Sequence, residues 1–285
     1  PWSSDGYYLK QRPSFTHDPL FHAGGYCVQE ASSMFLEHVL KQVCDVSQPL
    51  KVLDLCAAPG GKSTLIQSTL SDESLLVCNE VIKTRVPVLV ENCTKWGTAN
   101  VIVTNNDPSH FQRLPDYFDI INVDAPCSGS GLFRKEPDAI AEWSENNVTL
   151  CSQRQQRILH DVLPALKPGG VLIYSTCSYS EKEDEYISHW LATECNMMPV
   201  AISLNTDWNI IEVEKKGGYR FFPHRLRGEG FYINVFKKQG VPTPIKKQKG
   251  KSSGLKTQAF HSPWIRKDVA ANFWKHENTI RFGNA

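Results

Sequence analysis

The sequence lacks several features that would assign a protein to a class at once. No run of about 18 apolar residues occurs, which excludes a membrane-spanning helix, and no charged-then-apolar signal segment opens the chain. The nine cysteines form neither a CxxC pair nor a Cys/His cluster with metal-ligand spacing, and no GxxxxGKS/T phosphate loop is present. Scattered cysteines in a chain of 285 residues favour the reducing cytoplasm over secretion, and we expect no bound metal.

The composition is that of a globular protein. Hydrophobic residues make up 41% of the chain and charged residues 21%, which excludes a disordered, fibrous or collagen-like protein. A chain of this length can bury a normal hydrophobic core. Because the first residue is Pro1 rather than Met, we expect the sequence to be a piece of a longer protein.

The net charge of +1 hides an asymmetry along the chain. Residues 1–235 contain 20 Lys and Arg against 28 Asp and Glu, a net charge of −8, whereas residues 236–285 contain 11 against 2, a net charge of +9. No acid occurs between Lys237 and Lys267. Such a basic run is typical either of a solvated linker or of an arm that contacts a polyanion such as nucleic acid.

Strands alternate with helices through the middle of the chain. Apolar runs predict seven strands, at Lys51–Leu55, Leu75–Glu80, Asn100–Thr104, Phe118–Asp124, Val171–Thr176, Trp208–Val213 and Phe231–Lys237. Helical spacing predicts helices over Glu30–Leu40, from Lys62 onward, and over Lys83–Lys95, Asn146–Leu166 and Glu181–Leu191, with Lys167-Pro168-Gly169-Gly170 as a stop signal after the fourth. The sequence therefore predicts an α/β fold with a mostly parallel seven-stranded sheet and helices on both faces.

These elements divide the chain into four segments. Residues 1–40 form a lead-in rich in turn formers and aromatic residues, and residues 41–238 hold the α/β domain. Residues 239–254 read as a basic linker of Pro, Gly, Ser and Lys. Residues 255–285 form a C-terminal segment whose aromatic residues we expect to dock on another surface.

Small or acidic residues follow the first four predicted strands, at the edge where ligands bind in open α/β sheets. The first strand leads into the Gly-rich turn Cys56–Lys62, whose small residues let a ligand approach the backbone and whose following helix offers its N-terminus. Glu80 stands about 20 residues beyond that turn, which suits the hydroxyls of a ribose. Asp107 and Asp124 follow the next two strands. A plain turn and solvated loop acids are the alternatives, but three acids at successive strand ends favour a ligand site.

Two cysteines leave the same edge of the predicted sheet. Cys127 follows the fourth strand in DAPCSGSG, and Cys177 follows the fifth in STCSYS. A single cysteine is most often an inert buried thiol, whereas two at matched strand ends favour thiol chemistry. From the chemistry alone, either thiolate could attack a substrate.

The motifs DLCAAPGGKST, NE, ND, DAPCSGSG and STCSYS, in this order, resemble the Sun/nucleolar-protein family of RNA cytosine-5 methyltransferases. The segments FHAGGYCVQEASS and FPHRLRGEGFYINVFKK extend the resemblance over roughly residues 12–238, and the bacterial 16S ribosomal RNA (RsmF-like) type is the most similar. The resemblance implies a Rossmann-like, S-adenosylmethionine-dependent methyltransferase domain and an RNA substrate, foremost ribosomal RNA of the small subunit. It makes residues 255–285 a candidate start of an RNA-binding domain, and it implies neither a membrane nor an obligate protein partner.

The resemblance also implies roles for individual residues. Glu80 would bind the ribose of S-adenosylmethionine, Asp107 would lie at the adenine, and Asp124 would lie between the cofactor's amino group and the target cytosine. Cys177 would be the nucleophile, and Cys127 would assist release of the product. The amino-acid end of the cofactor would be held by the loop Cys56, Ala57, Ala58, Pro59, Gly60, Gly61 and Lys62, with Arg85 as a further cofactor-binding residue.

Methylation of cytosine at carbon 5 requires a thiolate, because that carbon is too weak a nucleophile to take a methyl group directly. A thiolate that adds at carbon 6 makes carbon 5 enamine-like. The base also needs hydrogen-bonding partners, for which we predict Lys62 and Asp124, although Lys62 has the alternative of a solvent-facing cation at a helix start. A cytosine inside a duplex is out of reach, so the target must be unpaired or flipped out.

Other functions stay open at this point. A DNA cytosine-5 methyltransferase would use the cysteine of Pro126-Cys127 as nucleophile, but the chain has no long target-reading insertion. A transfer RNA methyltransferase, a non-catalytic RNA-binding assembly factor and a dithiol redox protein that uses Cys127 and Cys177 are the further alternatives. The absence of a CxxC motif argues against the last.

Overall fold

A nine-stranded sheet organises the described part of the chain. A computed structural model describes residues 1–11, 14–214 and 217–241, together with the backbone of 272–276 and 279–283. The strands are β1 (Lys51–Asp54), β2 (Leu75–Asn79), β3 (Val101–Thr104), β4 (Phe118–Asp124), β5 (Leu166–Thr176), β6 (Met197–Pro199), β7 (Ile211–Glu212), β8 (Tyr219–Phe221) and β9 (Phe231–Lys238). Their order is β3-β2-β1-β4-β5-β9-β8-β7, and β6 pairs with the C-terminal end of β9.

The direction of the strands confirms the predicted α/β class. Strands β1 to β5 pair in parallel, and β9 enters antiparallel to β5. Strands β6 and β8 are antiparallel to β9, and β7 is antiparallel to β8, so seven of the nine strands run in one direction. The predicted total of seven strands is wrong, because β6 and β8 also join the sheet. Each has only three residues, too few for a periodic pattern to be visible in the sequence.

Helices cover both faces of the sheet. They are α1 (Pro19–His22), α2 (Phe35–Val43), α3 (Gly61–Thr69), α4 (Val86–Trp96), α5 (Ala139–Glu142), α6 (Glu145–Val162) and α7 (Glu185–Glu194). Three of them, α2, α4 and α7, begin three to five residues later than predicted. The residues just before them form turns instead, as at the 3-10 turn Lys83–Arg85.

Alternate residues of the strands point into two hydrophobic cores. Val52 and Ile120 belong to the core that α2, α3 and α4 cover. Their neighbours Leu53 and Ile121 belong to the core that α6 and α7 cover. Because successive side chains of a strand point to opposite faces, the central strands are buried on both sides, as expected for a doubly covered parallel sheet.

The helix predicted over Asn146–Leu166 ends earlier than expected. Helix α6 stops at Val162, and a 3-10 turn that contains Pro164 follows it, since proline cannot donate a helical hydrogen bond. The predicted stop signal at residues 167–170 lies inside β5 instead. There the pairing with β4 shifts between Leu166 and Val171, and Gly169 adopts a left-handed φ of 77° that glycine accepts without strain.

The lead-in packs into the same core as the sheet. Trp2 is buried, and its indole nitrogen donates a hydrogen bond to the carbonyl of Ala31 at 2.8 Å. Its ring makes edge-on contacts with Phe35, Trp208 and Phe221, at centroid distances of 5.7–6.2 Å. The N-terminal residues therefore help to build the wall of the domain next to α2.

Most of the predicted basic linker and C-terminal segment lies outside the described residues. Two strands of the latter are described, β10 (Asn272–His276) and β11 (Thr279–Gly283), and they pair antiparallel with each other. Among the described residues, no helix combines the length and the apolar character that crossing a membrane requires.

Candidate active site

The loop after β1 is held by a buried carboxylate. Asp54, at the end of β1, accepts hydrogen bonds from Ser63 Oγ of α3 at 2.6 Å and from Asn122 Nδ2 of β4 at 2.9 Å. Its complete burial raises the pKa of the carboxyl group. Asp54 thus fixes the ends of the loop 55–60, while Gly60, with a φ of 112°, makes the turn into α3.

A cavity of about 180 Å³ lies beside this loop. All of the predicted loop residues except Gly60 line it, and Asp124 of β4 forms a further part of its wall. Another part of the wall comes from the end of the lead-in, including Gln29 and Glu30. The structure therefore brings the Gly-rich loop, Lys62 and Asp124 together, as the sequence predicts.

Lys62 and Asp124 form an ion pair at the cavity. Lys62 Nζ lies 2.8 Å from Asp124 Oδ2, and Ser175 Oγ donates to Asp124 Oδ1, also at 2.8 Å. Only 18% of the Lys62 side chain is exposed, so the alternative of a solvent-facing cation is wrong. Burial alone would lower the pKa of Lys62, but the charge of Asp124 outweighs it and raises that pKa above its ordinary value.

The two cysteines at the strand ends are in contact. Cys127 Sγ and Cys177 Sγ lie 3.1 Å apart, and both residues are half-buried. The hydrogen bond between the two thiols lowers the pKa of Cys177, and Lys62 adds to this effect, against the opposing effects of burial and of Asp124. The same hydrogen bond, together with burial, raises the pKa of Cys127 well above its usual range. The arrangement therefore favours a thiolate on Cys177 and the proton on Cys127.

A third thiol in the region is not activated. Cys56, in the Gly-rich loop, has a raised pKa, first because it is buried and then because Asp124, Asp54 and Glu80 are nearby acids. It stays protonated at neutral pH and lines the cavity as a small apolar group.

Glu80 is buried directly after β2. Its Oε1 accepts a hydrogen bond from the backbone nitrogen of Ile82 at 2.8 Å. Its Oε2 has no hydrogen-bond partner among the described residues, although Arg85 Nη1 lies 3.5 Å away. Arg85 Nη2 also donates to the carbonyl of Ala58 at 2.5 Å. Arg85 thus links Glu80 to the Gly-rich loop, and one carboxylate oxygen of Glu80 is left without a hydrogen bond.

Asp107 has a local structural role as well. Its Oδ1 accepts hydrogen bonds from the backbone nitrogen and the hydroxyl of Ser109, at 3.0 and 2.7 Å, and so caps the 3-10 turn Pro108–Arg113. These bonds lower the pKa of Asp107. Its other oxygen lies 3.8 Å from Arg157 Nη2, and the side chain is 35% exposed. Glu80, Arg85, Asp107 and both cysteines lie outside the lining of the cavity.

Sequence reasoning missed several residues of this region. Gln29 donates from Nε2 to the carbonyl of Gly61 at 2.8 Å, and its buried Oε1 has no hydrogen-bond partner among the described residues. The ring of Phe231 lies under Lys62 Nζ, 5.3 Å from the ring centroid. Gln29 and Ser175 stand within motifs that carry the resemblance, but only the contacts reveal what each side chain binds.

Comparison with known proteins identifies the family of this chain. A family model described as 16S rRNA methyltransferase RsmB/F matches residues 42–237. The ribosomal RNA small subunit methyltransferase F of Pectobacterium atrosepticum is 34% identical over 278 residues, which cover 95% of this chain and 56% of that relative. The enzyme of the same name from Escherichia coli O127:H6 is 31% identical over 303 residues, which cover 98% of this chain and 62% of the relative. The chain therefore spans less than two thirds of the length of these relatives.

Two solved methyltransferase structures share the fold of this chain. NSun6 from Pyrococcus horikoshii with SFG, an analogue of S-adenosylmethionine, aligns with a TM-score of 0.69 at 26% identity, over 81% of this chain and 57% of that chain. A methyltransferase homolog protein from the same organism aligns with a TM-score of 0.71 at 29% identity, over 84% of this chain and 76% of that chain. Family and fold both confirm S-adenosylmethionine as the cofactor, and they confirm the resemblance that the motifs carry. The chain belongs to the RsmB/F family of 16S ribosomal RNA methyltransferases.

Proposed function

We propose that this chain transfers a methyl group from S-adenosylmethionine to carbon 5 of a cytosine in ribosomal RNA of the small subunit, through a covalent bond between Cys177 and the cytosine. The observation that carries the proposal is the polarised pair of thiols, Cys127 and Cys177, 3.1 Å apart. A lowered pKa is what a thiol needs to attack carbon 6 of a cytosine at neutral pH. The family match supports RNA of the small ribosomal subunit as the substrate. Nine free cysteines support a place in the cytoplasm.

The residues around the cavity fit the cofactor. Glu80 Oε2 and Gln29 Oε1 are two of the six buried side-chain oxygens that lack hydrogen-bond partners among the described residues. Leaving such an acceptor unpaired is costly unless a ligand satisfies it. A ribose hydroxyl would satisfy Glu80, and the ammonium of an amino acid would satisfy Gln29. The Gly-rich loop and Asp124 would complete the binding site at the amino-acid end, with Asp107 at the adenine. When bound, the cofactor supplies an electrophilic methyl group.

The chain's own residues supply the rest of the chemistry. The Cys177 thiolate adds to carbon 6 of the cytosine, which makes carbon 5 able to take the methyl group. A base then removes the proton from carbon 5. The electrons of that bond expel the thiolate, and the bond between Sγ and carbon 6 breaks. Lys62 and Asp124 would hold the cytosine by hydrogen bonds. Because their charges are paired and largely buried, they offer a preorganised donor and acceptor rather than a mobile charge. Cys127 would assist the release of the product.

The lowered pKa of Cys177 supports the proposal over the DNA-type alternative. That alternative needs Cys127 as the nucleophile, and the pKa of Cys127 is raised. A dithiol redox function would instead require a disulfide between Cys127 and Cys177 in the native protein.

Bisulfite mapping of ribosomal and transfer RNA from cells with and without the gene tests the proposed function. We expect one cytosine of the small-subunit RNA to lose its protection from conversion when the gene is absent, and to regain it on complementation with the wild-type gene but not with a Cys177→Ala variant. A change confined to transfer RNA would replace the proposed substrate. No change in either RNA would refute cytosine-5 methylation.

A further inference from the structure

A buried carboxylate with no assigned role lies behind the two thiols. Glu183, just before α7, is completely buried. Its Oε1 accepts from the backbone nitrogen of Ser128 at 2.8 Å and from Gln155 Nε2 at 3.3 Å. Its Oε2 accepts from the hydroxyls of Ser128 and Ser178, at 2.5 and 2.7 Å. Both oxygens are therefore fully used.

The two serines stand directly after the two cysteines. Ser128 follows Cys127 in the loop after β4, and Ser178 follows Cys177 in the loop after β5. A single side chain thus fixes both loops at the residue next to each thiol. Gln155 adds to this, because its Nε2 also donates to the carbonyl of Pro126 at 3.0 Å. The loops also touch directly, where the backbone nitrogen of Gly131 donates to the carbonyl of Cys177 and the backbone nitrogen of Tyr179 donates to Ser130 Oγ, both at 2.8 Å.

The charge of Glu183 acts on the Cys127 thiol. Glu183 contributes to the raised pKa of Cys127, after the hydrogen bond to Cys177, burial and the charge of Cys177. The charges with the largest effects on Cys177 come from other elements: Asp124 of β4, which raises its pKa, and Lys62 of α3, which lowers it. A negative charge on the Cys127 side favours a proton there, and the other thiol can then carry the thiolate.

We propose that Glu183 is the positioning residue of the thiol pair: it holds the two cysteine loops in register and keeps the proton on Cys127, so that Cys177 is the reactive thiolate. This inference rests on the proposed function for its biological meaning, but not for its test. A purely structural alternative exists, because the backbone carbonyl of Glu183 accepts a hydrogen bond from the buried hydroxyl of Tyr174. That contact does not involve the carboxylate and survives a change of side chain.

The test measures which thiol reacts. The protein is alkylated with a limiting amount of iodoacetamide at pH 7, and the labelled fractions of Cys127 and Cys177 are determined by peptide mass spectrometry. We expect wild type to be labelled mainly at Cys177. Glu183→Gln keeps the size of the side chain but removes the charge, and it should lower the ratio of Cys177 to Cys127 labelling by about tenfold, which corresponds to one unit of pKa difference. The exposed neighbour Glu181 provides the matched control, Glu181→Gln, which should leave the ratio unchanged.

Two further measurements separate positioning from folding. Binding of S-adenosylhomocysteine should be the same in wild type and Glu183→Gln, because the carboxylate does not line the cavity. If Glu183→Gln does not fold, the double variant Ser128→Ala, Ser178→Ala removes the two hydroxyls through which the carboxylate holds the cysteine loops, and it should also lower the ratio. An unchanged ratio in a variant that binds the ligand normally would overturn the inference. Since no methyl transfer or RNA is involved, a chain that fails to methylate RNA but shows the expected ratio would refute only the proposed function.

Discussion

Glu80 Oε2, which pairs with Arg85 but accepts no hydrogen bond from the described residues, leads to a specific prediction for cofactor binding. We expect Glu80→Gln to weaken the binding of S-adenosylhomocysteine, the product form of the cofactor. Glutamine has the same shape as glutamate, and its carbonyl oxygen can still accept the hydrogen bond from the backbone nitrogen of Ile82. The position of Oε2, however, would carry an amide nitrogen, which cannot accept a hydrogen bond from a ribose hydroxyl.

The structure sets the size of the effect. Glu80 is 3% exposed, so a hydrogen bond to its charged carboxylate would be fully desolvated. Such a bond is worth about 1.5–3 kcal/mol, which corresponds to a loss of about 10- to 150-fold in affinity. Asp107 should matter less, because it is 35% exposed and one of its oxygens already caps a turn. For Asp107→Asn we expect a loss of about fivefold or less, in line with the small value of exposed polar pairs.

Isothermal titration calorimetry with S-adenosylhomocysteine measures both variants against wild type. Glu91→Gln serves as a control, since Glu91 is an exposed acid on α4 that pairs with Lys95 and lies outside the cavity lining. The thermal midpoint of each unliganded variant shows whether it is folded. Unchanged affinity in a folded Glu80→Gln would refute the assignment of Glu80 to the ribose. A larger loss in Asp107→Asn than in Glu80→Gln would refute the argument from burial.

Three further predictions concern the thiols, the lead-in and the basic run. Cys177→Ala should form no covalent RNA adduct and no product, whereas Cys127→Ala should accumulate an adduct that survives a denaturing gel; the reverse pattern would exchange the two roles. Gln29→Leu should weaken the binding of S-adenosylhomocysteine but not that of 5′-methylthioadenosine, which lacks the amino-acid end. Equal losses of affinity for both ligands in calorimetry would show that Gln29 does not bind that end. Changing the lysines of the basic run to glutamine should flatten the salt dependence of RNA binding, measured by filter binding at several salt concentrations. The slope of log affinity against log salt concentration should fall in magnitude by about 0.7 for each lost phosphate contact. An unaltered slope would mean that the run is a solvated linker. The lysines to change are Lys246, Lys247, Lys249 and Lys251.

The sequence predicts the edge of the sheet better than the contacts across it. The parallel strands and the acids at their ends follow from local patterns, because a buried strand and the turn after it are contiguous in the chain. The pairing of Lys62 with Asp124 and the contact of Cys127 with Cys177 follow once those strands lie side by side. Lys62 illustrates the limit, since a solvent-facing cation and a buried ion pair look the same in a sequence.

The residues that the sequence does not reveal act over long separations. Glu183 binds Ser128 across 55 positions, and Gln29 binds Gly61 across 32. A glutamate in a predicted helix and a glutamine in an irregular segment carry no local sign of such partners. The error at residues 167–170 has a different cause, because proline and glycine end a helix and shape a bulge equally well, and only the pairing of β5 with β4 decides between them.

The packing of the lead-in couples the cofactor to the stability of the N-terminal residues. The segment that forms one wall of the cavity lies just before α2, and the indole of Trp2 is anchored on the carbonyl of Ala31 in between. A ligand that binds only the assembled wall stabilises the segments that form this wall against local unfolding. The gain in free energy is RT ln(1 + [L]/Kd), or about 2.7 kcal/mol when the ligand concentration is a hundred times Kd. Backbone amides near residues 28–37 should therefore exchange their hydrogens more slowly when the cofactor is bound. The lead-in would then report on cofactor loading, so that the binding of a small molecule can be followed in a part of the chain far from the reacting thiols in sequence.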